Sequence, residues 1–392
     1  MASEPSQPSP SLPPIPPTST SPSTPSDPRT SSNSLHALPW RDRPLLIQCW
    51  TDEAETLAPC TDQPGSGLVI TAANGRRERA YEIARRLREN GYRRPMLLDA
   101  ARYATKARPA RATSGGAEDD PADFDPRWLE LQRDLGLSVL TDSGYVHQGD
   151  GEGLARILAG AARLGDAIAL LPLHPSWLVE PVARRRLLRR INGFRVPVAI
   201  LLEHVANPFD VPGAVDGLLE VLAGEVPVLL LRSDVSAFGA LACGAVAAAV
   251  GTSAALRHLH PGRWVCSAPS VFVPSVLSYK RLDQIRPAKE RNPDAVLWRC
   301  ECPTCRGSDL DWILARPKDQ WAALAATHSV HELLRLHARW KIGRNPDIDR
   351  VSWREQCWHA NWQREHAGWK PSPALAYWHR AIDGQPDGPP GE

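Results

Sequence analysis

Short, continuously apolar runs punctuate the chain from Arg43 onward: LLIQCW at 45 to 50, LVITA at 68 to 72, MLLD at 96 to 99, LSVLT at 137 to 141, AIALLPL at 167 to 173, VAILL at 198 to 202, PVLLL at 227 to 231 and VAAAV at 246 to 250. They do not alternate with polar residues, which is how strands buried on both faces read. Between them, segments 76 to 90, 152 to 164, 178 to 191 and 213 to 223 carry apolar positions at helical spacing. Eight alternating strand and helix units predict a (β/α)8 barrel, an α/β fold. The stretch 103 to 126, with SGGAEDDPADFDP, breaks the pattern and reads as a rim insertion.

In such a barrel the chemistry gathers where the strands end. The polar residues just past each run are Asn74, Asp99, Asp142, His174, Glu203, His204, Asp234, Thr252 and Ser253. Each alone is an ordinary helix cap. As a set they predict a polar mouth.

Composition adds the limits. Hydrophobic residues make up 42% and charged residues 23% of 392, which excludes a chain disordered throughout. Residues 1 to 38 are nearly all Pro, Ser and Thr and predict a disordered tail, with a second short tail at 381 to 392. The barrel is expected over 39 to 298 and a helical appendage over 299 to 380. The start has neither a basic region nor an apolar core, so a signal peptide is not expected, and the run 239 to 256 is too rich in Ala and Gly for a membrane span. Eight Cys are too few for a disulfide framework, and a cytoplasmic location is expected.

Three of those Cys crowd together. Within WRCECPTCRG, Cys300, Cys302 and Cys305 form C-x-C-x2-C, and THSVHELLRLHARW follows on a helical pattern. Three thiolates and the imidazole of His331, after 25 intervening residues, make a closed tetrahedral shell for one structural zinc; His328 and His337 are the alternative fourth ligands. A redox pair at Cys302 and Cys305 is the competing assignment, but it needs neither Cys300 nor a histidine.

This spacing after a (β/α)8 barrel resembles the zinc site of the tRNA-guanine transglycosylases, including their archaeal and DNA-modifying relatives. VLTDSGY at 139 to 145 is similar to that family's strand-end Asp-Ser-Gly-Gly motif. The resemblance spans roughly residues 130 to 340. It implies exchange of a purine or 7-deazapurine base at an N-glycosidic bond of tRNA or DNA, in a homo- or hetero-oligomer. It places Asp142 against the base and Ser143, Gly144 and Tyr145 around it; from their strand-end positions, Asp99, Thr252 and Ser253 are expected to complete the substrate pocket. The family's nucleophilic Asp falls on Ala249 or Val273, depending on the alignment, and neither can attack an anomeric carbon. An enzyme would need Asp142 or Asp234 as nucleophile and His174 or Glu203 as general acid. The alternative is a catalytically inactive relative that binds nucleic acid or another subunit.

Net charge is only +2, so any nucleic-acid contact must be local. ARRRLLRRI at 183 to 191 lacks acidic neighbours and is the better phosphate candidate, while RRERAYEIARRLRENGYRRP at 76 to 95, also strongly basic with eight Arg against three Glu, reads equally well as a solvated face. Gly251-Thr252-Ser253 before a helix is a further possible anion seat. Six of the 14 Trp lie between Trp340 and Trp378. They could stack unpaired bases, but packing of Trp353, Trp362 and Trp369 against the barrel is the simpler expectation.

Overall fold

The computed structural model describes residues 40, 42 to 72, 76 to 104, 120 to 262, 268 to 293, 296 to 342 and 345 to 384. The expected N-terminal tail, Asn74 and most of the rim insertion lie outside them.

Eight parallel strands make the barrel: β1 (Leu45–Trp50), β2 (Ser66–Thr71), β3 (Met96–Asp99), β4 (Val139–Leu140), β5 (Ala167–Leu173), β6 (Val198–Leu202), β7 (Val228–Ser233) and β8 (Ala247–Gly251). The hydrogen-bonded order β3-β2-β1-β8-β7-β6-β5-β4 runs round the wall, and β3 and β4 sit side by side at the seam. Every predicted run forms its strand. Leu46, Val69, Leu97, Leu140, Leu170, Ala199, Leu201, Leu229, Leu231, Ala247 and Ala249 fill the interior. Their neighbours Leu45, Ile47, Leu68, Ile70, Leu171, Ile200 and Leu230 face the surrounding helices. That two-sided burial is why the runs show no alternation.

The surrounding helices are α1 (Ala54–Thr61), α2 (Arg77–Glu89), α3 (Pro126–Asp134), α4 (Gly151–Leu164), α5 (Ser176–Val179), α6 (Pro181–Phe194), α7 (Ala214–Leu222) and α8 (Ser236–Ala242). The segment predicted as one helix from 178 is two, because Pro181 starts a fresh helix after the extended Glu180. No periodicity marks α8, since all seven of its residues are buried and it has no polar face.

Beyond the barrel come an antiparallel hairpin, β9 (Ser270–Val273) and β10 (Ser278–Arg281), then α9 (Leu282–Arg291), α10 (Trp321–Trp340), α11 (Pro346–His366) and α12 (Pro373–Ile382). Val271, Val273, Leu282, Ile285 and Trp298 share one apolar cluster with Cys300, Cys302 and Cys305. The long helices join the barrel's own core: Trp353 is buried against Phe238 of α8, and Trp378 is buried against Trp353 and Phe209. A Cβ on Gly239 would lie 2.6 Å from Trp353 Nε1 and 2.7 Å from Trp378 Cε2, so the absence of a side chain there lets the two indoles dock. Of the three tryptophans expected against the barrel only Trp353 packs there: Trp369 packs on Trp298 in the cluster beyond the barrel, and Trp362 is 41% exposed and lies against His366. Among the described residues, no helix is long and apolar enough to cross a membrane.

Candidate functional site: a zinc centre and a polar barrel mouth

The zinc centre is built from a tight loop and one helix. Backbone N–H groups of Cys302 and Cys305 donate to the sulfurs of Cys300 and Cys302, each at 3.4 Å, which curls the loop around its own thiols. The fourth ligand is His328, not His331: its Nδ1 lies 3.5, 3.6 and 3.3 Å from the sulfurs of Cys300, Cys302 and Cys305. A tetrahedral zinc with ordinary Zn–S and Zn–N bonds sets that edge at roughly 3.6 Å. All four ligand atoms lie within 4.8 Å of one another and all four residues are buried. The ring's Nε2 donates to the Phe272 carbonyl at 2.8 Å, leaving Nδ1 for the metal. The neighbouring thiols of Cys300 and Cys305 drive the Cys302 thiol far below its ordinary pKa, toward the thiolate a metal requires. These four residues form a structural zinc site. Three residues further on, His331 is turned toward α1, where its Nε2 sits 3.6 Å from the Cys60 sulfur. Spacing alone could not separate two histidines one helical turn apart.

At the mouth the acidic residues have different employments. Asp99 is wholly buried: Ala101 N–H donates to its Oδ1 at 2.8 Å, and Gln48 and the Tyr103 hydroxyl donate to its Oδ2 at 3.1 and 2.6 Å. Arg232, 3.7 Å from the same oxygen, reaches it from β7 through a left-handed backbone, φ 45°, where the β7–β8 register slips. Its guanidinium lies between the rings of Trp50 and Tyr103. Strand-end position marks neither Gln48 nor Tyr103, whereas an Arg closing the apolar run PVLLL is a signal for Arg232 visible in the sequence.

Asp142 is equally committed. Its carboxylate takes Arg77 Nη2 at 2.9 Å and the Asp125 N–H at 3.2 Å, tying β4 to α2 and to the start of α3. Burial pushes its pKa up and the Arg77 charge opposes that. Ser143 bonds Thr141 at 2.9 Å, and Gly144 lets Pro121 approach where a Cβ would meet backbone at 2.8 Å. Tyr145 packs at the edge of the interior cluster and meets the His147 ring edge-on at 4.7 Å. Asp234 accepts from Asn207 Nδ2 and from Ser236 N–H, both at 3.0 Å, just before α8; burial raises its pKa.

Glu203 and His174 are placed differently. Leu201 faces the interior, so Glu203, two residues on, points the same way at the top of the barrel. His174 Nδ1 lies 2.9 Å from the Ser176 hydroxyl and 3.2 Å from the Ser176 N–H. Burial lowers its pKa, and the Glu203 carboxylate is the largest opposing influence. Above them, the chain after β8 crosses the mouth: Leu259 pairs with Glu203 as a ninth short rung and plugs the interior. That crossing brings in His258, held near pKa 4 by burial and by the charges of Arg257, His260, His204 and Arg232.

Thr252 donates to Glu53 at 2.8 Å, and the turn after Ser253 is a single 3₁₀ turn, Ala254–Leu256, so no extended helix begins at Gly251-Thr252-Ser253 to seat an anion. The Ser253 hydroxyl is buried without a hydrogen-bond partner among the described residues. On α6, Arg184 pairs with Glu220, while Arg186, Arg189 and Arg190 line a basin of about 780 Å³ with the start of α4.

Fold and site together define a (β/α)8 barrel carrying a Cys3His zinc centre. The chain matches no family model and no curated protein.

Proposed function

We propose that this protein is a transglycosylase-like barrel that receives a purine-type base of tRNA or DNA at its mouth and acts on the N-glycosidic bond through Glu203 and His174. The observation that supports it is the division of labour among the mouth acids. Asp99, Asp142 and Asp234 hold donors that brace the fold, and Glu203 is the carboxylate that acts most strongly on His174, whose pKa burial lowers. In this proposal the Glu203 carboxylate attacks C1′, the base leaves as an anion under a hydrogen bond from His174, and an incoming base anion attacks C1′ to release the carboxylate. Asp142 then acts as a positioning residue that sets the β4 loop, in place of the nucleophile.

A non-catalytic, nucleic-acid-binding role is the second reading, supported by the fully buried Ala249 and Val273 at the places where the resemblance expects a carboxylate. Labelled guanine exchange into tRNA and into DNA separates the two. The enzyme reading expects exchange by the wild type and a loss of at least ~100-fold in Glu203→Gln with zinc content unchanged. Binding without exchange would select the second reading, and neither binding nor exchange would remove both.

A further inference from the structure

Away from the zinc and the polar interior, one pocket gathers positive charge with little to neutralise it. Lys280 of β10, Arg291 of α9, Arg364 near the end of α11 and Lys370 line a cavity of about 430 Å³ with Gln284, Pro287 and Trp369. Lys280 Nζ stands 4.1 Å from the centre of the Trp369 ring, more than half buried and in no ion pair among the described residues. Arg364 is held in place by its Nε donating to the Lys370 carbonyl at 2.9 Å. One carboxylate lines the pocket, Asp283, and it is already paired with Arg281. A second, Asp210, attracts Arg364 from nearby but spends an oxygen on the Ala374 N–H at 3.0 Å. Burial and the neighbouring Arg364 charge pull the Lys280 pKa down to about 8. Half-buried cations that face one another are costly unless an anion joins them.

We propose that the Lys280, Arg291, Arg364 and Lys370 pocket binds a phosphoryl group, with Arg364 and Lys280 as its inner ligands. A guanidinium matches two phosphate oxygens and an ammonium adds a point charge, while Trp369 and Pro287 offer an apolar wall to whatever the phosphate carries. The walls are tied to the mouth: Tyr279, beside Lys280, lies under Arg257 of the segment that crosses the barrel, with the guanidinium 3.8 Å from the ring centre. A phosphate ester and a phosphodiester of nucleic acid present the same chemistry, and the site stands independently of any base exchange.

Calorimetric titration of the full chain with inorganic phosphate and with a 12-nucleotide single strand tests this. The wild type is expected to bind at least one probe, and Lys280→Gln and Arg364→Gln to weaken that binding at least ~10-fold with zinc content intact. Tighter binding of phosphate assigns the pocket to a phosphate ester, and tighter binding of the strand assigns it to a phosphodiester. Because Arg364 also braces a loop, the exposed Arg291→Gln and Lys370→Gln pair supplies a variant without a folding role, expected to weaken the same probe several-fold. No binding of either probe, or binding that all these variants leave unchanged, would overturn the proposal. Failure of guanine exchange would leave it standing.

Discussion

Asp142 and His337 show how much a single buried ionisable group decides. The Asp142 side chain is fully buried and holds Arg77, so Asp142→Asn removes a charge whose partner stays behind. The variant is expected to lose on the order of 2 kcal/mol, seen as a lower denaturant midpoint with an unchanged slope. An unaffected midpoint would mean the ion pair adds nothing. The sequence marked Asp142 as important through its strand-end position, but it could not show Arg77, 65 positions earlier in the chain, closing on it. His337 is buried beside Gly65 with a pKa lowered to about 4, chiefly by burial. The unfolded chain binds a proton at this residue near pH 6.5, and the fold does not until about pH 4, so stability falls as pH drops through 6.5. Between pH 7 and 5 this amounts to about 2 kcal/mol, and His337→Leu should flatten the pH dependence of unfolding by that amount. An equally steep profile in the variant would contradict the assignment.

Among the elements, the barrel strands were legible because burial on both faces writes itself as unbroken apolar runs. What was not legible is instructive. The helix α8 has no polar side, and its environment comes from α11 and α12 more than a hundred residues later. The segment after β8 reads as a loop, yet it lays Leu259 across the mouth against β6 and brings His258 with it. Gly251 permits that fold-back, since a Cβ there would lie 2.2 Å from the Leu256 carbonyl. The docking of the C-terminal helices is tested at Gly239. Gly239→Ala should cost about 1 to 3 kcal/mol by displacing Trp353 and Trp378, read as a lower thermal midpoint with a shift in tryptophan emission. A midpoint at or above that of the wild type would show that the indoles do not depend on that gap.

At the scale of the whole molecule, the zinc centre fastens the C-terminal loop, hairpin and long helix to one another. Its loop is held by His328 of α10, whose far ring nitrogen bonds the Phe272 carbonyl of β9, while the same helix presents Val330, Leu333 and Leu334 to the barrel core. Losing the metal therefore loosens helix, hairpin and loop together. The C-x-C-x2-C half was plain in the sequence because loop ligands sit close along the chain. The histidine was ambiguous because a helix offers several, and only the fold selects the one aimed inward. The direct measurement is zinc per chain in the wild type, His328→Ala and His331→Ala, purified identically. About one zinc in the wild type and in His331→Ala, with a large loss in His328→Ala, is the predicted result. Full retention in His328→Ala together with loss in His331→Ala would contradict it.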